Sequence, residues 1–147
     1  MLSCSARPNA VAQIRGGADA PHLAGQIQFY QECGRVLVIA RLSGLPGEKS
    51  DFFAMHIHDG ETCSEADFSG TSGHYNPNAE SHPNHEGDLP PLISFHGEAF
   101  LAVRTERFRV CDIIGKTVVI HSAPDDFRTQ PAGNSGTKIA CGVICGK

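Results

Sequence analysis

Five of the eight histidines of this chain fall in one segment, between Phe52 and Asp88. Two of them form a His-x-His pair and three more precede a single aspartate, in the order His56, His58, His74, His82, His85 and Asp88. Neutral imidazole is the commonest protein ligand of transition metals, and it suits copper and zinc in particular. Residue type and spacing therefore predict that this segment binds metal.

The later part of the segment has the composition of a zinc shell. Three imidazoles and one carboxylate, from His74, His82, His85 and Asp88, make a closed tetrahedral set that leaves no vacancy for a substrate. We interpret this set as a structural site. The alternative, a solvated loop with chance histidines, does not explain how a loop rich in Gly, Asn and Pro becomes ordered.

The His-x-His pair lies in a stretch that reads as a strand over residues 52–58. Because side chains alternate along a strand, His56 and His58 should share one face and the apolar Phe53, Met55 and Ile57 the other. Two imidazoles on one face of a rigid strand form half of a metal site, although such a pair can also be a surface feature. His121 ends the apolar run 117–120, and its role depends on what lies beside it.

An apolar period of two dominates the rest of the chain and predicts strands. The candidates are residues 9–15, 26–31, 35–42, 52–58, 98–104, 116–121 and 138–145, with a shorter strand near 88–95. The segment 32–34 has the length and the glycine of a hairpin turn. About eight strands and no convincing helix predict an all-β Greek-key sandwich or barrel.

Two long loops interrupt this pattern, at residues 59–89 and 122–137. Loops of that length are uncommon in compact domains unless they are functional or are held by something other than a core. The ligand-like residues lie in or beside these loops, so metal and a disulfide are the expected sources of order. Six cysteines make one disulfide plausible, but a chain with this apolar content does not require three.

Length and charge narrow the class further. The 147 residues and 40% hydrophobic content fit one ordinary domain. A formal net charge of -4 and the lack of a Lys/Arg cluster argue against a nucleic-acid partner. No stretch reaches the roughly 20 apolar residues of a membrane helix, so no membrane partner is expected.

Five motifs together resemble those of the copper/zinc superoxide dismutases. They occupy residues 53–58, 72–77, 86–89, 113–121 and 133–144, in the order of that family. The likeness runs from about Ala10 to the end, which divides the chain into an N-terminal extension (1–9) and a dismutase domain (10–147). Four residues separate His58 from Cys63 and ten separate Cys63 from His74, a spacing closer to bacterial members than to animal ones.

The resemblance implies a fold, cofactors and an activity. The fold would be the family's eight-stranded, immunoglobulin-like Greek-key barrel with two long functional loops. Copper would be bound by His56, His58, His74 and His121, and zinc by His74, His82, His85 and Asp88, with His74 bridging the two metals. Asp125 would accept hydrogen bonds from His56 and His82, and Cys63 and Cys141 would form the family's disulfide. The reaction would be disproportionation of superoxide to oxygen and hydrogen peroxide through Cu(II) and Cu(I).

One residue near the implied copper departs from the family. Lys138 stands where the family has an arginine, so the positive charge is kept but the planar fork that can dock an anion is lost. His74 and Lys138 are thus the expected catalytic residues, the first as a proton carrier. A non-catalytic copper or zinc buffer or chaperone on the same fold, and a zinc hydrolase, are the alternatives.

The resemblance and the first residues of the chain bear on assembly and location. The implied family allows a homodimer, and Cys4, Cys33, Cys111 and Cys145 are expected to be free thiols. Residues 1–8 lack the apolar core of a signal peptide, which predicts a cytoplasmic chain. The alternative is an exported bacterial protein whose leader is not part of this sequence.

Overall fold

The strands pair into a nearly closed antiparallel barrel. The computed structural model describes residues 6–147. Within that range the strands are β1 (Ala10–Gly16), β2 (Ala24–Glu32), β3 (Arg35–Ser43), β4 (Phe52–Phe53), β5 (Met55–His58), β6 (Leu92–Phe95), β7 (Glu98–Thr105), β8 (Thr117–His121) and β9 (Lys138–Gly146). Neighbours in the sheet follow the order β4-β6-β7-β3-β2-β1-β9-β8-β5. The prediction of an all-β barrel is confirmed.

The apolar period of two works as predicted. In β3 the side chains of Val36, Val38, Ala40 and Leu42 all enter the barrel core. The turn after β2 contains only Cys33 and Gly34, because Glu32 pairs directly with Arg35. Gly34 has a φ of 73°, a left-handed conformation that glycine adopts without steric cost.

The prediction of one strand over residues 52–58 is wrong, because the two halves of this segment pair with different strands. β4 pairs with β6 and β5 pairs with β8, so the chain changes partner at Ala54. Ala54 donates its N–H to the carbonyl of Ala123 (3.0 Å) and accepts from the N–H of His121 (2.9 Å). Because β4 and β5 stand at the two ends of the strand order, this continuous segment nearly closes the barrel.

The described residues include one short α-helix, whereas the sequence predicted no helix. α1 (Val110–Ile113) buries Val110 and Ile113, and a single 3-10 turn covers Ser69–Thr71. The N–H of Arg109 donates to the Asp112 carboxylate at 3.0 Å, which caps the start of α1. Four residues are too few for a helical period to appear in the sequence.

Two long connections cover one side of the barrel, as predicted. The first joins β5 to β6, which begins only at Leu92 rather than near 88, and the second joins β8 to β9. A disulfide between Cys63 and Cys141 fastens the first connection to β9. Among the described residues Cys33, Cys111 and Cys145 are exposed free thiols, as expected, whereas Cys4 lies outside the described residues. Within residues 6–147 neither helical segment has the length or apolarity needed to cross a membrane.

Candidate metal centre

β5 presents two histidines to the side of the sheet opposite the barrel core. Met55 and Ile57 enter the core, and the alternating His56 and His58 point the other way, as the strand period predicts. Both imidazoles are nonetheless buried, with 0% and 2% of each residue exposed. The two long connections cover them, so the pair is not a surface feature.

A first group of four imidazoles forms where β5, β8 and the long connection meet. His56, His58, His74 and His121 each offer a ring nitrogen, and these atoms lie within 4.8 Å of one another. Nε2 of His58 is 3.2 Å from Nε2 of His121. An isolated antiparallel bridge between His58 and His74 brings the connection to the edge of β5.

A second group shares His74 with the first. His74, His82, His85 and Asp88 also place one ligand atom each within 4.8 Å. Nδ1 of His74 is 2.8 Å from one oxygen of Asp88. The other oxygen lies 3.1 Å from Nδ1 of His82 and 3.3 Å from Nδ1 of His85. One imidazole therefore belongs to two four-residue donor sets.

Asp125 joins the two groups from outside. One oxygen lies 2.7 Å from Nε2 of His56 and the other 2.8 Å from Nε2 of His82. Burial raises the pKa of this carboxyl, but the hydrogen bonds from His56 and His82 outweigh it, so the net pKa is well below the ordinary value. An ionised Asp125 accepts a hydrogen bond from the Nε2–H of each ring, which leaves each Nδ1 with a free lone pair.

Gly133 leaves open the space that the Asp125 carboxylate occupies. A Cβ added to Gly133 would lie 2.0 Å from an Asp125 oxygen and 2.7 Å from Nε2 of His82. Gly133 also has a φ of 68°, which disfavours larger residues. The sequence alone offered no sign of this close approach.

The donor atoms of both groups fit metal cations. Nδ1 of His56, Nε2 of His74 and Nδ1 of His82 are buried without a hydrogen-bond partner among the described residues. Burial, followed by the nearby His56 and His74, lowers the pKa of His121 to about 3. Buried ring nitrogens that converge without a hydrogen-bond partner fit a cation, and an all-imidazole set beside a His₃Asp set suits copper beside zinc.

The family follows from a match over most of the chain. A family model described as copper/zinc superoxide dismutase matches residues 23–144. The chain belongs to the copper/zinc superoxide dismutase family. Like other members it disproportionates superoxide with copper and zinc as cofactors, and the non-catalytic alternative is not favoured.

Curated bacterial proteins show the same likeness. The chain is 33% identical over 135 residues to the Cu-Zn superoxide dismutase 2 of Aquifex aeolicus, covering 82% of this chain and 78% of that protein. It is 33% identical over 132 residues to the Cu-Zn superoxide dismutase of Legionella pneumophila, covering 84% and 79%. The Cu-Zn superoxide dismutase of Caulobacter vibrioides is 31% identical over 163 residues, covering 92% and 83%.

The ammonium group of Lys138 is held by hydrogen bonds and is not a free surface charge. In this dismutase its Nζ donates to the hydroxyl of Thr71 (2.7 Å) and to the carbonyl of Ser72 (2.9 Å), in the connection that holds the disulfide. Burial lowers the pKa of the Lys138 ammonium, while Asp67 opposes that effect. Lys138 pairs with His121 across β8 and β9, so its charge lies beside the first group of imidazoles. The sequence did not indicate Thr71 or Ser72 as partners.

Proposed function

We propose that His56, His58, His74 and His121 bind the copper of this dismutase and that His74, His82, His85 and Asp88 bind its zinc. The observation that carries this assignment is the pair of donor sets that share His74. A bridging imidazole must direct its two ring nitrogens at different metals, and Nε2 of His74 is buried and unpaired. Its Nδ1 faces the Asp88 side of the site.

Bound copper supplies a centre that takes an electron from one superoxide anion and gives it to the next, whereas zinc is not redox-active. His74 supports this cycle as a proton carrier. A proton held on Nε2 of His74 would be delivered to the peroxide product, with the second proton coming from solvent. Asp88 and Nδ1 of this ring belong to the same proposed zinc set, and their separation of 2.8 Å supports a shared cation.

Lys138 is the second catalytic residue in this proposal. Superoxide is an anion and the chain has a formal net charge of -4, so a local positive charge is needed to draw substrate in. The ammonium has three donors: two bind Thr71 and Ser72, and the third reaches the Phe68 carbonyl only at 3.5 Å. That long third bond is the one an arriving anion can replace, whereas an arginine fork could offer two parallel donors.

Asp125 sets the tautomers that both metals need. Because it binds Nε2–H of His56 and of His82, it directs Nδ1 of one ring toward copper and Nδ1 of the other toward zinc. One carboxylate thus couples the two sites without itself being a ligand. The disulfide of Cys63 with Cys141 holds the covering connection in place.

A homodimer is the assembly that the surface supports. The outer faces of β4, β6 and β7 expose four large apolar side chains, Phe52 (46%), Ile93 (61%), Phe95 (76%) and Phe100 (62%). Arg41 and Glu98 lie beside them, and a twofold axis would set opposite charges against each other.

Sedimentation should give a dimer that Phe95→Lys dissociates, while Ile114→Lys, at an exposed site near Gly146, should leave it intact. A wild-type monomer at high concentration would contradict this assembly.

Export to an oxidising compartment is the location that we propose. Disulfides persist in such compartments and are rare in reduced cytosol. The bond from Cys63 to Cys141 joins residues 78 apart in sequence and fastens the connection that carries His74 to β9. Fractionation of the native host should find the protein outside the cytoplasm, and recovery only from the cytoplasmic fraction would contradict export.

Elemental analysis of site variants tests the ligand assignment. After reconstitution with both metals, the wild type should hold one copper and one zinc per chain. His58→Gln should lose copper selectively, and His85→Gln should lose zinc selectively, because each residue belongs to only one donor set. Loss of neither metal from either variant would overturn the assignment.

A further inference from the structure

One arginine outside both donor sets binds the backbone of the zinc-binding connection. Nη1 of Arg107 donates to the carbonyls of Pro83 (2.9 Å), His85 (3.0 Å) and Asp88 (3.3 Å). Two of these carbonyls belong to proposed zinc ligands. The third belongs to the residue that follows the ligand His82.

The body of the barrel fixes the position of Arg107. The next residue, Phe108, is buried and its ring packs edge-on against Phe29, with centroids 6.5 Å apart. The N–H of Arg107 also donates to the hydroxyl of Thr105 at 3.2 Å. The guanidinium therefore extends from a segment anchored in the core toward a connection that has little core of its own.

The connection provides acceptors that need a cation. The carbonyl oxygens of residues 83, 85 and 88 converge on one point, and their dipoles repel one another unless a positive donor lies between them. Within the connection the backbone of His85 is tied to Asp88, through the His85 N–H to an Asp88 oxygen (3.0 Å) and the Asp88 N–H to the His85 carbonyl (3.1 Å). The Ile57 N–H donates to the Gly87 carbonyl (2.8 Å) and fastens this turn to β5, and Arg107 adds a second attachment, to the segment that follows β7.

We infer that Arg107 is a positioning residue of the zinc site, which holds the backbone of His85 and Asp88 so that their side chains meet at the metal. The inference rests on the proposed zinc ligands. Arg107 acts through the backbone and contacts no ligand atom, unlike Asp125. Groups that orient ligands are worth about 10–100-fold in metal affinity, which is the scale expected here.

Zinc competition with a chromophoric chelator tests this role on the full chain. Arg107→Met should bind zinc about tenfold more weakly than the wild type. Arg107→Lys keeps the charge but loses the planar fork, so its affinity should lie between the two. Arg35→Met is the matched control, because Arg35 is an exposed arginine whose ion pair is with Glu32 and not with the connection. Its affinity should equal that of the wild type.

Cobalt in the zinc site separates positioning from general stability. The visible spectrum of Co(II) reports ligand geometry, so it should change in Arg107→Met and remain unchanged in Arg35→Met. Equal zinc affinity and an unchanged Co(II) spectrum in Arg107→Met would overturn the inference. If Arg107→Met fails to fold, a wild-type spectrum and affinity in Arg107→Lys would overturn it equally. A wild type that binds no zinc would instead overturn the metal site, and this inference with it.

Discussion

Lys138 and His58 bind the same backbone oxygen. Nζ of Lys138 and Nδ1 of His58 each lie 2.9 Å from the carbonyl of Ser72. The carbonyl accepts a hydrogen bond from Nδ1–H of His58 and so leaves Nε2 of that ring for the proposed copper. The residue expected to attract the substrate anion and a proposed copper ligand thus share one acceptor, in the connection that the disulfide holds.

The charge of Lys138 should govern the encounter with superoxide. In Lys138→Gln we expect the second-order rate constant to fall about tenfold and its dependence on ionic strength to weaken, because the local positive charge is gone. Lys138→Arg should be at least as fast as the wild type, since it restores a two-donor fork. Stopped-flow decay of superoxide at several salt concentrations measures both. Lys49→Gln, an exposed change of equal charge, is the control, and an equal loss there would contradict a local role.

Asp125→Asn should weaken both metal sites together. The amide replaces one acceptor oxygen by a donor, so one of His56 and His82 meets a donor and loses the tautomer its metal needs. We expect an affinity loss of about 10–100-fold for the metal on that side and a smaller one for the other. Competition titration of each metal checks this. Asp126→Asn, which faces only its own loop, should bind both metals as the wild type does.

Loss of the disulfide should lower stability more than loss of a free thiol. Cys63→Ser opens a link between residues 78 apart in sequence, and removal of such a bond typically costs about 2–5 kcal/mol. Urea unfolding of the metal-free protein, compared with Cys111→Ser, gives the difference in unfolding free energy. Equal values for the two variants would show that the covering connection does not depend on the bond.

The metal-free protein should lose stability in mild acid. Burial lowers the pKa of His121 to about 3 and also lowers the pKa of His58 and of His56. The unfolded chain therefore binds these protons first, so stability is complete above about pH 6.5 and declines below it. For His121 the decline continues toward pH 3, at about 1.4 kcal/mol per pH unit. Urea midpoints at pH 7.5 and pH 5 measure the effect. His22→Gln should keep the slope and His121→Gln should reduce it, and a higher midpoint at pH 5 would contradict the account.

The features that could be predicted from the sequence are those that depend on residue type and on the local period of apolar residues. The alternation in β3 and the shared face of His56 and His58 are local properties, so they could be read without the fold. His121 joins the other histidines because β5 pairs with β8. From the sequence, only the family resemblance anticipated that His121 belongs with them. The ligand roles themselves stay predictions until metal is measured.

Tertiary contacts explain what the sequence could not predict. The break at Ala54 arises because residues 52–53 pair with β6 and residues 55–58 pair with β8, at opposite ends of the strand order. The anchoring of Lys138 by Thr71 and Ser72 joins residues more than 60 positions apart, and nothing in their types signals it. Arg107 is one of several arginines, and only the fold brings it to the connection that carries the proposed zinc ligands.

The rate of superoxide decay with the reconstituted protein tests the central claim most directly. With copper and zinc both bound, stopped-flow or pulse radiolysis should give catalytic decay that scales with copper content and is inhibited by cyanide. Protein loaded with zinc alone should leave the spontaneous decay unchanged. Fully metallated protein that does not accelerate the decay would contradict the account, because it would show a dismutase site that binds its metals without turnover.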